Sequence, residues 1–214
     1  MIKICYTMRM ASYALQYWTY SICLLITLAV FVVAVSKPPS HEQKLVLVIT
    51  FFIFTIMFGY WGAVNGKIVS PDLLIFVTKI QYIGACNIFA VLTLLFARIF
   101  NLKLPKPIVR SQLALSILMT LIAASFDKHT LFFSSYHVEL INGMSVLIKR
   151  YGVFHVLYLV LMTLYVLFFA IISLRVAIKG SKHNKKMAAN LLFPFLFLGI
   201  FSPDLSILVR QRPL

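Results

Sequence analysis

Six runs of this chain carry almost no charge, and nearly every Lys, Arg, Asp and Glu falls in the gaps between them. Apolar runs of roughly 20 residues match about 30 Å of hydrocarbon, so the pattern predicts a polytopic membrane protein whose solvent is the bilayer. A composition of 62% hydrophobic against 12% charged residues lies well outside that of soluble domains and agrees. The predicted spans are about 17–35, 45–66, 73–97, 111–126, 151–174 and 187–208. Lipid requires each segment to satisfy its own backbone amides, and these runs are continuous rather than alternating, which predicts helices and not barrel strands. The expected fold is all-α: one integral membrane domain over residues 1–214, a transmembrane bundle of six helices.

The gaps leave little room for anything else. The longest, 127–150, is too short to bury a soluble core, so no catalytic or nucleic-acid-binding module is expected outside the membrane. A formal net charge of +15 would suggest an RNA or DNA partner in a soluble chain. Here the basic residues are spread over short loops, where the positive-inside rule accounts for them, and no nucleic acid is expected. The loops after spans one, three and five hold Lys37, Lys44, Arg98, Lys103, Lys106, Arg110, Arg175, Lys179, Lys182, Lys185 and Lys186. Those after spans two and four hold Lys67, Lys128, Lys149 and Arg150. The odd loops are thus predicted to be cytoplasmic, which puts both the amino terminus and Leu214 outside despite Lys3 and Arg9. A basic start before an apolar run also opens a signal peptide, and Ala34-Val35-Ser36 resembles a cleavage site. The uncharged run 11–36 is long for that purpose, and a retained helix is the favoured reading.

Chemistry is sparse. Cys5, Cys23 and Cys86 are odd in number and scattered, which predicts neither a disulfide framework nor a zinc or redox site. The acids are Glu42, Asp72, Asp127, Glu139 and Asp204, and no two share one helix face as an acid–base pair. No phosphate loop, nucleophile elbow, dinucleotide fingerprint or paired-histidine helix is present, so no catalytic residue and no cofactor is expected. Asp127, His129, His137 and Glu139 have the side chains of metal ligands in an unspecific spacing, and reading them as solvated loop polars is preferred.

Two loops carry further signals. Residues 136–141 and 144–148 are β-prone runs joined by Asn142-Gly143, a dipeptide suited to a type I′ turn, which predicts a short external β-hairpin. The basic cluster with Lys182, Lys185 and Lys186 is a topology determinant or a contact for anionic lipid.

The remaining polar residues lie within the spans, where an ionisable group is costly. Trp61 and Asn65 end span two, Lys79, Gln81 and Tyr82 begin span three, and His155 and Tyr158 begin span five. Lys79, Tyr82 and Cys86 share a helical face by their spacing, as do His155, Tyr158 and Met162. One reading is a ligand pocket open to the outside made by Lys79, Tyr82, His155, Tyr158, Trp61 and Asn65, in which Lys79 meets a carboxylate or phosphate. The other is interface anchoring, with Lys79 snorkelling and the aromatics in a belt. In either case Asp72 is the one carboxylate expected near Lys79. Asn87, nearer mid-membrane, is expected to make an interhelical hydrogen bond.

Several segments resemble a known family. Phe58-Gly59-Tyr60-Trp61, then Ser70-Pro71-Asp72, then Lys79-Ile80-Gln81-Tyr82-Ile83-Gly84 look like helices two and three of the amino-terminal seven-transmembrane sensor region of bacterial histidine kinases and diguanylate cyclases. The run Arg150-Tyr151-Gly152-Val153-Phe154-His155-Val156-Leu157-Tyr158 resembles the start of that family's fifth helix. The likeness runs from about residue 20 over most of the chain. It implies a sensory input module in a bacterial cytoplasmic membrane, which senses an extracytoplasmic or membrane-borne ligand and passes a shift on through its last helix. It also implies a seventh helix and a kinase or cyclase domain, where this sequence stops at Arg210-Gln211-Arg212-Pro213-Leu214. A fragment, or a free-standing sensor acting through a homodimer or a signalling partner, is expected. The alternatives are a small transporter or channel component, for which internal repeats or charged mid-membrane helix breaks would speak, and an integral membrane enzyme, for which converging polars would.

Overall fold

The structure, a computed structural model, describes residues 2–36, 41–65, 70–141 and 144–180. Among the described residues, five helices are long and apolar enough to cross a membrane. They are α1 (Ile2–Val35), α2 (His41–Val64), α3 (Pro71–Ile99), α4 (Lys106–Ala124) and α5 (Val153–Lys179). A 3-10 turn at Phe126–Lys128 leads from α4 into strands β1 (Phe133–Ile141) and β2 (Met144–Tyr151), which pair antiparallel and feed α5. The turn dipeptide Asn142-Gly143, the basic cluster with Lys182, Lys185 and Lys186, and the sixth predicted span at 187–208 lie outside the described residues.

Helix ends depart from the charge-free runs for identifiable reasons. α3 starts two residues before the predicted span because Ser70 caps it, its hydroxyl accepting from the Leu73 N–H at 3.3 Å, with Pro71 in the first turn and Asp72 at the positive end of the helix dipole. α4 begins at Lys106 rather than 111, since Lys106 and Arg110 remain helical on stems long enough to reach the interface. α1 extends back to Ile2, so the stretch read as a tail is helical. α2 closes at Val64, where both the backbone and the side-chain N–H of Asn65 donate to the Trp61 carbonyl (3.1 and 2.7 Å).

The chain divides into two compact units, Met1–Val156 and Leu157–Leu214. In the first, α1 packs on α2, α2 on α3 and α3 on α4. Tyr20 and Tyr60 stack across α1 and α2 with ring centroids 5.4 Å apart. Hydrophobic burial does not drive helices together in lipid, so close backbone approach and hydrogen bonds must do it. α2 and α3 use the first means: a β-carbon on Gly84 would strike the Thr55 hydroxyl and the Phe52 carbonyl, and one on Gly59 would strike Gln81. α3 and α4 use the second. Asn87 Nδ2 donates to the Ile83 carbonyl (2.8 Å) and to Thr120 Oγ1 (2.6 Å). Its Oδ1 lies 2.7 Å from the Ser116 hydroxyl, whose proton is shared with the Cys86 carbonyl at 2.8 Å. The interhelical bond expected of Asn87 is thus present.

Of the second unit, the continuation of α5 to Lys179 and the following Gly180 are described. Within it Tyr158 donates to Met162 Sδ at 3.7 Å, and Thr163 bonds back to the Leu159 carbonyl at 2.9 Å.

Candidate functional site: an aromatic cluster bordered by lysines

The N-terminal turns of α3 meet the segment between α4 and α5, and the sequence dictates the junction. Gly152 donates to the Phe132 carbonyl (2.8 Å) and Phe154 to that of Leu131 (3.0 Å), which ties the start of α5 to the stretch before β1. A β-carbon at Gly152 would collide with the carbonyls of Thr130 and Leu131, so only glycine permits this crossing. Along the ladder Phe133 pairs with Tyr151 and Ser135 with Arg150, which leaves Ser134 as an extra residue. That bulge switches the face of everything before it. Phe133, an odd number of residues from Tyr136, therefore presents its ring on the same side as Tyr136 and Val138. On that side Val138 and Leu147 pack against Leu74 and Val77 of α3, while His137 and Glu139 on the other side are exposed.

The result is a buried aromatic cluster. Phe126, Phe132, Phe133 and His155 are each 0% exposed and Tyr82 is 1%. Tyr82 stands edge-on to Phe132, Phe133 and His155 at 4.8, 5.8 and 5.8 Å between centroids. Phe126 stands edge-on to Phe133 (5.0 Å) and Tyr136 (5.1 Å). The His155 imidazole lies flat on the Tyr151 ring at 3.9 Å. Edge-to-face pairs at these separations each add about 0.5–1.5 kcal/mol beyond the area they bury, so the cluster is a packed plug and not an open pocket.

Charge sits on its border. Lys79 Nζ lies 2.7 Å from Asp127 Oδ1 and 5.7 Å from the Phe126 centroid. The expectation that Asp72 is the only carboxylate near Lys79 does not hold: the chain supplies Asp127 from the 3-10 turn. Asp127 lies outside the spans, and the hydrogen bond from the Lys79 ammonium holds its carboxyl below the ordinary value of 3.8 against a smaller opposing effect of burial. Lys149, from β2, places its ammonium 5.6 Å from the Tyr82 centroid and 5.4 Å from that of Phe133, a cation–π arrangement with two rings. Among the described residues, no three His, Cys, Asp or Glu side chains gather to hold a metal. His129 accepts the Leu131 N–H on Nδ1 at 3.3 Å, which leaves Nε2 to carry the proton toward Ser125 Oγ at 3.1 Å.

Of the six residues read as a pocket, Lys79, Tyr82 and His155 come together around this cluster. Trp61 stacks on Phe58 at 6.1 Å, and Phe58 packs on the Leu74–Val77 pair. Asn65 spends its amide closing α2. Tyr158 belongs to the second unit. Phe126, Asp127, Phe132, Phe133, Lys149 and Tyr151 are additions that the span-by-span reading missed. The apolar triplet Leu131-Phe132-Phe133 in an otherwise polar loop was the available signal.

Residues 19–206 match the family described as the N-terminal 7TM region of histidine kinase. The chain belongs to this family. Neither a curated protein nor a solved structure shows a significant match to it. The histidine-kinase 7TM region is a membrane-embedded input module rather than a catalytic one, and the chain is accordingly an integral membrane protein of the sensory kind. The matched residues take in the Lys79–Asp127 pair, the whole aromatic cluster and both strands.

Proposed function

We propose that this 7TM region senses an acidic ligand, extracytoplasmic or membrane-borne, at the end of the bundle where Lys79, Tyr82 and His155 meet, with Trp61 and Asn65 at the same end of α2. The observation that carries the reading is the Lys79–Asp127 ion pair, with side chains 24% and 29% exposed, set directly on a buried aromatic plug. A carboxylate or phosphate that reaches Lys79 competes with Asp127 for the same ammonium. Two ammonium groups, Lys79 and Lys149, border the cluster, and an added anion would meet positive charge there.

Release of Asp127 has a structural consequence. The 3-10 turn that carries it joins α4 to β1, and Phe126 in the same turn is packed against Phe133 and Tyr136. A ligand shifts such an equilibrium only by its difference in affinity for the paired and released states, so the signal is the exchange of Asp127 for ligand and not binding as such. The output passes to a signalling partner or a homodimer; the chain's role in this reading is input, not catalysis.

Thermal unfolding of the full chain in nanodiscs, in the presence of mono- and dicarboxylates and inorganic phosphate, tests this. An acid that raises the unfolding temperature of the wild type and of Asp127→Asn, and has no effect on Lys79→Met, supports the proposal. An acid that stabilises Lys79→Met equally, or the absence of any stabilising acid, defeats it.

A further inference from the structure

The opposite end of α3 carries a second feature, independent of any ligand near Lys79. There α3 closes in a Schellman turn: Asn101 takes the left-handed conformation (φ 51), Leu102 donates to the Ala97 carbonyl at 2.7 Å and Asn101 to that of Arg98 at 3.1 Å. The turn places Lys103 and Leu104 together with Leu45 of α2 around an open cleft of about 570 Å³, within the roughly 300–1,000 Å³ typical of ligand sites. Its apolar lining comes from Leu45, Leu94, Leu104 and Val109, on α2, α3, the connection and α4, and its charge from Arg98 and Lys103, both exposed.

Among the described residues no acidic side chain lines this cleft, and exposed Lys44, Lys106 and Arg110 stand on the adjoining turns. α4 begins beside it without a side-chain cap, because Pro105 occupies the N-cap position, so the positive end of that helix dipole adds to the field. An apolar floor under a cationic rim, at the end of membrane-spanning helices, suits an amphiphile with a negative head. A soluble anion would satisfy the rim and leave the floor in contact with water.

We infer that this cleft seats an anionic phospholipid of the surrounding leaflet, its phosphate between Arg98 and Lys103 and an acyl chain along Leu45, Leu94, Leu104 and Val109. Native mass spectrometry of the full chain, extracted from nanodiscs of equal phosphatidylcholine and phosphatidylglycerol, tests it. Phosphatidylglycerol should be retained preferentially by the wild type. In Arg98→Gln/Lys103→Gln the preference should fall about twenty-five-fold, each basic residue near a membrane surface contributing about five-fold. It should survive in Arg98→Lys/Lys103→Arg, which keeps the charge, and in Lys44→Gln/Arg110→Gln, which removes equal charge from outside the lining. Equal retention of the two lipids by the wild type, or an equal loss in the Lys44/Arg110 variant, overturns the site. Displacement of the lipid by inorganic phosphate or glycerol phosphate at concentrations comparable to the lipid's own would show a soluble-anion site instead and overturn it as well.

Discussion

Lys79 on α3 and Asp127 on the turn after α4 are 48 positions apart in the chain and 2.7 Å apart in space. The pair fastens the connection between two helices to a third, at the edge of a cluster that also holds the first turn of α5.

Its stability contribution should be small and its positional one larger. The side chains are about a quarter exposed, so a double-mutant cycle on Lys79→Met and Asp127→Asn should return a coupling of about 0.5–1 kcal/mol that shrinks as salt rises. Hydrogen exchange at 126–133 should nonetheless quicken in both single variants. A coupling near zero with unchanged exchange would mean the pair holds nothing.

The pair also predicts a direction with pH. The carboxyl of Asp127 is depressed in the folded chain, so its stabilisation is complete above the unfolded value, near 3.8, and is lost as pH falls through the lower folded value. Wild type should therefore exceed Asp127→Asn in unfolding temperature at pH 6, with the gap closing below about pH 4. A gap that widens on acidification would contradict this sign.

At mid-membrane, Asn87→Leu should destabilise the contact between α3 and α4 by about 0.6 kcal/mol for each interhelical bond removed. A cycle of Asn87→Leu with Ser116→Ala measures it, and strict additivity of the two would show that the bond carries no energy.

The contact between α2 and α3 should be far less tolerant. Gly84→Val places carbon on the Phe52 carbonyl and should cost about 1–3 kcal/mol by overpacking, whereas Ala85→Val, one residue on, should cost less. Equal unfolding temperatures for the two variants would remove the case for close approach.

Loop charge predicts the orientation. In a background lacking Cys5, Cys23 and Cys86, Ser135→Cys on β1 should react with an impermeant thiol reagent from outside, and Lys103→Cys only after the membrane is opened. The reverse pattern would invert the bundle and move the proposed ligand site to the cytoplasm.

The first five charge-free runs foretold five helices because, in lipid, apolar length sets a helix, with ends within about five residues except at α1, which reaches back to Ile2. The same rule misplaced the start of α4, since Lys106 and Arg110 are helical residues that look like loop to a charge count. β-propensity pointed to the two runs that pair as β1 and β2, but not to the bulge at Ser134, which depends on what Phe133 must touch, while the turn at Asn142-Gly143 lies outside the described residues. Lys79, Tyr82 and His155 were legible as polar residues at similar depth. Sequence neighbourhood groups Asp127 with His129, His137 and Glu139, and only the tertiary fold sends it to Lys79.

Backbones that approach closely at Gly59 and Gly84 resist sliding past one another, because the residues flanking each glycine carry the β-carbons that these contact points have no room for. α2 thus splints α3 into a single stiff lever. From Lys79 to Arg98 that lever is about 28 Å long at 1.5 Å per residue. In the sensing reading proposed above, a tilt begun where Asp127 lets go would be delivered at the far end as displacement and not as shear between the two helices.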